Sequence, residues 1–339
     1  MNVIELHKKT WDRLQARRER LPHALLLVGQ KGMGKFDLAR LFAAGLLCEE
    51  PTPDGTACGH CLACNWFAQG NHPDFRLLQP EALSVDGEAE EGKKKPSQQI
   101  TIDQVRALDD FLTVGTHRGG LRIVIVNPTE AMNRSTANAL LKTLEEPPPS
   151  SLFLLVSSEP MRLLPTIRSR CQLIAIPTPQ PAHAEKILAA AGLNDAARWL
   201  ALAGGSPGLA LEMGNAGQGA WLGMLLTRLG AGPRVDPLAA AAELDKVLRD
   251  GKGKVLLKQF VEAVQKWLVD LTLAGERLPP RYFLAEQGTI AGLAAMIPPA
   301  RLIAAYRASG VRRQEAEQPL NARLFLEGLF LDYRALFAN

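Results

Sequence analysis

Apolar residues near the middle of the chain form two short continuous runs that flank a helical pattern. Residues 121–126 and 152–156 are rich in leucine and β-branched side chains, as expected for strands buried on both faces of a parallel sheet. Between them, residues 131–146 place four apolar side chains on one helix face, and Pro147 ends the helix. This succession predicts an α/β sheet with ligands at the carboxyl ends of its strands, near residues 157–158.

The same succession occurs earlier in the chain, where a glycine-rich stretch separates a strand from a helix. Residues 23–28 predict a buried strand, and residues 37–47 carry helical apolar spacing. A strand, a glycine-rich turn and a helix in this order are the context that a phosphate-binding P-loop requires. Backbone N–H groups of such a loop cradle phosphate oxygens, and its lysine reaches the β and γ phosphates. The candidate nucleotide-binding residues are Gly29, Gly32, Gly34 and Lys35.

The position after the P-loop lysine is occupied by Phe36. A serine or threonine hydroxyl is expected there, because it helps to hold Mg²⁺. Phenylalanine offers no oxygen, so the ordinary mode of magnesium binding is lost. The loop is therefore interpreted as one that packs a helix on a sheet, with weak nucleotide binding through Lys35 as the alternative.

The second half of the chain has mainly helical patterning. A proline-rich stretch at residues 177–181 predicts a linker, and three short helices follow it. Leucine- and alanine-rich stripes then predict longer helices, which bury a helical core or supply an oligomer face. We expect three domains: an α/β domain at residues 1–177, a three-helix lid at 178–216 and a helical domain at 217–339.

Composition agrees with a globular protein and excludes few functions. The 339 residues are 47% hydrophobic and 22% charged, with a net charge of +4 and a pI near 8.8. This balance is weaker than that of a dedicated nucleic-acid-binding protein, so any nucleic-acid contact is expected to be local or shared with partners. The sequence has no signal-peptide pattern and no run of about 18 apolar residues, so we expect a cytoplasmic protein without membrane contact.

Four of the five cysteines are crowded into residues 48–64. In a reducing compartment such a cluster favours a metal over disulfides, although free thiols or a disulfide pair are the alternative. Four thiolates complete a tetrahedral Zn²⁺ site and leave no open position, so the zinc is expected to be structural. The fifth cysteine, Cys171, is expected to pack internally. The predicted ligands are Cys48, Cys58, Cys61 and Cys64.

Two motifs carry a resemblance to a known family. Residues 138–148, with the sequence NALLKTLEEPP, and residues 169–171, with the sequence SRC, resemble the signature of the clamp-loader branch of the AAA+ ATPases. The resemblance covers roughly residues 1–215 and includes the zinc module. It implies an AAA+ P-loop-type parallel sheet with a zinc module, a small helical lid and an all-α C-terminal collar.

The resemblance also implies that this chain does not hydrolyse ATP. Asn127 and Pro128 stand where active relatives have an acidic pair, and Glu130 is displaced from those positions by two residues. Gly208 stands where the lid arginine of active relatives would be. We therefore expect a degenerate P-loop that does not bind nucleotide. Arg170 of the SRC motif is implied to be an arginine finger that acts in trans on a neighbouring subunit's ATP; the alternative is a surface arginine.

The implied function is that of a non-hydrolysing subunit in the clamp loader of bacterial DNA polymerase III. Its implied partners are the delta and tau/gamma subunits and, through the complex, the sliding clamp and primed DNA. An ATP-hydrolysing motor subunit and a zinc-dependent DNA-binding module are the two rival hypotheses. In the polar segment at residues 81–98, Lys93–Lys95 are either a DNA contact or part of a solvated loop.

Overall fold

The computed structural model describes residues 1–83, 96–113, 120–215, 219–251, 255–318 and 320–338. Lys93–Lys95 lie outside these residues. The chain divides into two compact units, Met1–His183 and Ala184–Asn339. This division lies just beyond the proline-rich stretch predicted to be a linker. The predicted boundary between a lid and a collar remains a prediction.

The first unit is built on a sheet of five parallel strands in the order β2-β3-β4-β1-β5. The strands β1 to β5 are Ala24–Val28, Phe75–Leu78, Arg122–Val126, Ser151–Ser157 and Gln172–Ala175. β1 pairs with β4 on one side and with β5 on the other. This parallel sheet confirms the predicted α/β fold class.

Helices cover both faces of the sheet. In the described residues of the first unit, α1 to α7 are Val3–Leu6, Lys8–Gln15, Lys35–Leu47, Leu62–Ala68, Ile102–Thr113, Arg134–Glu145 and Pro165–Arg170. Leu25 and Leu27 of β1 belong to the core on one face, together with Trp11 and Phe42. Leu26 belongs to the core on the opposite face. Helices cover both faces of these strands, so side chains on either face are buried. This explains why the strand sequences are apolar without interruption.

The next helix, α8, is Pro181–Ala190. The second unit is otherwise helical in its described residues: α9 to α16 are Ala196–Leu202, Pro207–Asn215, Gly219–Gly230, Pro237–Asp250, Leu257–Gly275, Gln287–Ala294, Pro299–Glu315 and Ala322–Ala335. Helix α12 packs on α16, and α13 packs on α15. None of the helices in the described parts of the chain is long and apolar enough to cross a membrane.

Buried polar contacts join distant elements of the second unit. The indole Nε1 of Trp267 donates to the hydroxyl of Tyr333 at 3.1 Å, and that hydroxyl donates to the carbonyl oxygen of Leu229 at 2.7 Å. Helices α13, α16 and α11 are thereby linked through one buried chain of hydrogen bonds. Burial raises the pKa of Tyr333, so its hydroxyl remains a donor at physiological pH.

A buried carboxylate fixes the segment that follows α13. Asp270 is fully buried, and its two oxygens accept hydrogen bonds from the backbone N–H groups of Arg281, Tyr282 and Phe283 at 2.7–3.2 Å. These bonds replace the water that an ionised carboxylate would otherwise need. They also hold Phe283 where its ring packs against Trp267, with the ring centroids 5.5 Å apart.

The start of the chain differs from the sequence interpretation. Residues 11–20, with the sequence WDRLQARRER, carry a run of charged side chains that predicts a basic, solvated helix. In the structure, α2 ends at Gln15 and has an apolar face. Trp11 and Leu14 are 0% and 1% exposed, so this helix belongs to the core. Arg18, beyond the end of α2, donates from Nη2 to the carbonyl oxygen of Gly45 at 2.8 Å. The charged residues that suggested one solvated helix therefore lie partly in the turn after it.

Replacement of the buried carboxylate should destabilise the second unit. We expect Asp270→Asn to lower the free energy of unfolding by about 2 kcal/mol or more, because hydrogen bonds to a charged acceptor are lost in a dry site. Urea denaturation of the full chain measures this change. Asp250→Asn, at an exposed position, is the control and should lie within about 0.5 kcal/mol of the parent. Equal midpoints for the two variants would contradict the stabilising role of Asp270.

Candidate functional site

The sheet order brings the glycine-rich loop next to the end of β4. The loop follows β1, and Ser158 follows β4; because these strands are parallel neighbours, their carboxyl ends lie side by side. Gly29 is the first residue of the loop and packs closely against Ile176, which follows β5. A Cβ at Gly29 would lie only 2.7 Å from the carbonyl oxygen of Ile176. The loop is thus held between the two strands that flank β1.

The glycine-rich loop turns into helix α3 at Gly34. Gly34 caps α3 with φ +72°, a backbone angle that side-chain-bearing residues rarely adopt. A Cβ at Gly34 would also lie 3.1 Å from both methyl groups of Val3 in α1. His7, after α1, donates from Nε2 to the carbonyl oxygen of Met33 at 2.7 Å. The segment before β1 therefore packs directly on this loop.

Lys35 is bonded to oxygen atoms of its own chain. Its ammonium donates to the carbonyl oxygens of Gly29 at 2.8 Å and Gln30 at 2.6 Å, and to the hydroxyl of Ser158 at 2.9 Å. The side chain is only 4% exposed. All three N–H donors of an ammonium group are thus used. A phosphate group could bind this ammonium only by replacing some of these contacts.

Glu130 supplies negative charge near this lysine. One of its carboxylate oxygens accepts a hydrogen bond from the backbone N–H of Ser158 at 2.9 Å. Burial lowers the pKa of Lys35 to about 8, and the charge of Glu130 opposes part of that change. Glu130 stands two positions away from the expected acidic pair, yet the fold brings it to the end of β4.

The other positions that suggested a degenerate ATPase site have these surroundings. Phe36 packs against the core beside the sheet, and the guanidinium carbon of Arg40 lies 5.8 Å from the centre of its ring. The backbone N–H of Asn127, after β3, donates to the carbonyl oxygen of Leu78 at 2.9 Å. Gly208 lies in α10. Phe36 therefore stabilises the fold and presents no oxygen ligand to the loop.

The four clustered cysteines have the geometry of a tetrahedral metal site. The ligand sulfurs all lie within 4.8 Å of one another. The Cys48–Cys61 and Cys58–Cys64 Sγ distances are both 3.9 Å, and the Cys48–Cys64 distance is 3.6 Å. A tetrahedron with Zn–S bonds of about 2.3 Å has edges of about 3.8 Å. The residues present therefore fit a structural zinc ion, and these sulfur distances do not fit disulfides.

Backbone groups support the sulfur cluster. The N–H groups of Cys58, Cys61 and Cys64 point to the sulfurs of Cys48, Cys58 and Cys61, at 3.2, 3.4 and 3.4 Å respectively. Such contacts favour thiolates, the form that binds zinc. Cys171 packs in the core on the other side of the sheet, as the sequence predicted.

The loop between Cys48 and Cys58 packs on helices α2 and α3. Trp11 of α2 donates from Nε1 to the carbonyl oxygen of Asp54 at 2.9 Å. Gly45 of α3 lies so close to Gly55 that a Cβ would collide with the Gly55 carbonyl oxygen. Cys48 follows α3 directly, while Lys35 begins the same helix. One helix therefore connects the metal site to the glycine-rich loop.

Arg170 is the last residue of α7 and lies partly exposed at its end. Its Nη2 lies 2.7 Å from Oε1 of Glu145, the last residue of α6. Its Nη1 donates to the carbonyl oxygen of Thr166 at 3.1 Å. The side chain of Arg170 is 35% exposed, so part of the guanidinium faces solvent. The sequence singles out Arg170 of the SRC motif, whereas no role is assigned there to Glu145, which lies in the NALLKTLEEPP motif.

The zinc site makes a direct prediction about metal content. We expect the purified chain to carry about one zinc ion, and Cys58→Ser to lose most of it, because three thiolates close a tetrahedral site poorly. The variant should also unfold at a lower temperature. Atomic absorption and thermal denaturation measure the two effects. Cys171→Ser is the matched control. Full zinc content in Cys58→Ser, or its loss in Cys171→Ser, would contradict the assignment.

The buried ammonium predicts a dependence of stability on pH. In the folded chain the pKa of Lys35 is lowered to about 8. Between about pH 8 and the ordinary pKa of lysine, the unfolded chain therefore binds more protons than the folded chain. The contribution of Lys35 to the free energy of unfolding should therefore rise as the pH increases from about 8 to about 10.4. The Lys35→Met variant has no titrating group at this position. The contributions of all other titrating groups cancel when the free energies of unfolding of parent and variant are subtracted at each pH. A difference between parent and variant that stays constant over this pH range would contradict the lowered pKa.

Comparisons with known proteins place these features in a family. The family model described as "DNA polymerase III, delta subunit" matches residues 6–180. The DNA polymerase III subunit delta' of Pseudomonas aeruginosa is 44% identical over 210 residues, which cover 61% of this chain and 60% of that protein. The Escherichia coli subunit delta' is 36% identical over 197 residues, covering 56% and 54%. The matches thus span little more than half of each relative.

A tau/gamma subunit is also similar to this chain. The DNA polymerase III subunit tau/gamma of Haemophilus influenzae is 36% identical over 152 residues, which cover 45% of this chain and 20% of that protein. The resemblance inferred from the NALLKTLEEPP and SRC motifs is thereby confirmed. Since the family model matches more than half of the residues of this chain, the chain belongs to the family described as DNA polymerase III, delta subunit.

Proposed function

We propose that this chain is a delta'-type subunit of a bacterial clamp loader that does not hydrolyse ATP itself. The family match and the subunit names of its relatives support the clamp-loader role. The observation that carries the non-hydrolysing role is the state of the P-loop. Its lysine is bonded to oxygens of its own chain, and the adjacent side chain is a phenylalanine packed against the core.

Hydrolysis at this loop would need groups that the chain does not offer at the usual places. A metal ion that bridges the β and γ phosphates normally uses the hydroxyl that follows the P-loop lysine, and Phe36 has none. Asn127 is neutral, and Pro128 cannot accept a proton. Glu130 is acidic, but its carboxylate is bonded to the N–H of Ser158. This arrangement favours a P-loop that has kept its fold and lost its chemistry.

The catalytic contribution of the subunit is Arg170, acting on the nucleotide of a neighbour. During γ-phosphoryl transfer, charge is spread over the equatorial oxygens of the moving group. A guanidinium stays protonated and offers N–H donors in a fixed fork, which suits those oxygens. Arg170 lies at the end of a helix, partly exposed, and is held by two contacts. The neighbour supplies the nucleotide, the metal and the attacking water.

Zinc has a structural role in this proposal. When bound, the ion would cross-link Cys48, Cys58, Cys61 and Cys64, and it offers no open position for a substrate. The cluster anchors the carboxyl end of α3 and the loop that receives the Trp11 hydrogen bond. A zinc ion bound there would therefore stabilise α3, the helix that begins at the glycine-rich loop.

The partners follow from the same assignment. The subunit would assemble with delta and with tau/gamma subunits, which hydrolyse ATP, and the complex would load the sliding clamp on primed DNA. This chain would contribute a rigid fold and one arginine to that work. Its mild net charge of +4 agrees with DNA contact that is shared among subunits.

Substitution of the arginine tests the proposal. We expect Arg170→Ala, in a reconstituted clamp loader with clamp and primed DNA, to lower single-turnover ATP hydrolysis at the neighbouring site by about 10³-fold or more. Arg162→Ala is the matched control. Arg162 is an exposed arginine close to Arg170 in the sequence, and it forms a different ion pair, with Glu159 at 3.2 Å. Size-exclusion chromatography checks that each complex assembles.

Two results would overturn parts of this assignment. Unchanged hydrolysis at every site in the Arg170→Ala complex would leave Arg170 as a structural residue. Magnesium-dependent ATP turnover by the isolated chain, abolished by Lys35→Ala, would instead identify an ATP-hydrolysing motor subunit.

A further inference from the structure

The ion pair between Glu145 and Arg170 joins the ends of two packed helices. Glu145 is the last residue of α6, and Arg170 is the last residue of α7. Their side chains are 43% and 35% exposed, and the Nη2–Oε1 distance is 2.7 Å. An exposed pair of this kind contributes little to folding stability, because water and salt screen it. Its significance therefore has to lie in what it does to the arginine.

The pair restricts a side chain that is otherwise very mobile. A free arginine samples many rotamers, and ordering it at an interface costs conformational entropy. Glu145 binds one terminal nitrogen, and the carbonyl oxygen of Thr166 binds the other. These two contacts use two of the five N–H donors of a guanidinium. The group is thus oriented while its solvent-facing side stays available.

We propose that Glu145 is a positioning residue for Arg170 and holds the guanidinium ready for the γ-phosphate of a neighbouring subunit's nucleotide. This inference rests on the proposed function, because it needs Arg170 to act in trans. Glu145 does not touch the nucleotide. It acts through the orientation of Arg170, and small misplacements of a catalytic group lower the rate strongly.

Two features of the surroundings make the proposal specific. The guanidinium lies by the carboxyl end of α6, where the helix dipole also favours positive charge. Arg168, two residues before Arg170, donates from Nη1 to the sulfur of Met161 at 3.1 Å and thus has a different partner. Glu146 is adjacent to Glu145 and exposed, and it provides a matched control of equal charge.

The experiment compares Glu145→Ala, Glu145→Gln and Glu146→Gln in the reconstituted clamp loader with clamp and primed DNA. We expect Glu145→Ala to lower kcat at the neighbouring site by about 10-fold or more while KM for ATP changes little, because positioning matters in the transition state. Glu145→Gln keeps an acceptor but loses the charge, so it should have a smaller effect. Glu146→Gln should match the parent.

A double-mutant cycle separates positioning from a general structural effect. In an Arg170→Ala background, Glu145→Ala should cause no further loss, because the residue that it positions is gone. Glu145→Asp should restore part of the rate. An equal loss in both backgrounds, or a full rate in Glu145→Ala, would overturn the positioning role.

The same set of variants distinguishes this inference from the proposed function. A large loss in Arg170→Ala with none in Glu145→Ala overturns the role of Glu145 alone. No loss in Arg170→Ala overturns the arginine finger and, with it, the inference. A rate increase in Glu145→Ala would also overturn positioning, because it would identify Glu145 as a group that restrains the arginine.

Discussion

The parallel pairing of β1 with β4 and β5 is the constraint on which the functional surface depends. It places the loop after β1 beside Ser158, at the end of β4, and against Ile176, which follows β5. Parallel neighbours direct their carboxyl ends to one edge, so residues far apart in sequence meet there. Without this order, Lys35 and Ser158 would have no reason to be in contact.

The glycine-rich loop keeps its shape through contacts within the chain. In a working P-loop, bound phosphate provides oxygen acceptors for the lysine and the backbone N–H groups. Here two loop carbonyls and a serine hydroxyl satisfy the lysine, and the buried Phe36 ring adds packing where a hydroxyl would add chemistry. A loop stabilised in this way does not require nucleotide for its conformation.

Features encoded by nearby residues could be predicted, and features formed by distant residues could not. The strands at residues 23–28, 121–126 and 152–156, the helix after the glycine-rich loop and the clustering of four cysteines follow from spacing within short segments. By contrast, Ser158 lies 123 residues after Lys35, and no local pattern links the two. The pairing of Glu145 with Arg170 depends in the same way on how α6 and α7 pack. The helix α2 was misjudged because its charged residues concealed Trp11 and Leu14, which the fold buries.

The zinc module also bears on the order in which the chain folds. Its ligands all lie within residues 48–64, so the site can close as soon as that short segment is available. The sheet has no such local route: Ala24 of β1 pairs with Phe153 of β4, across most of the first unit. Contacts between residues distant in sequence form slowly, and unpaired strands are prone to aggregation until they form. If these cysteines bind zinc early, the site would give the emerging chain a local fixed point before β4 and β5, the partner strands of β1, are synthesised.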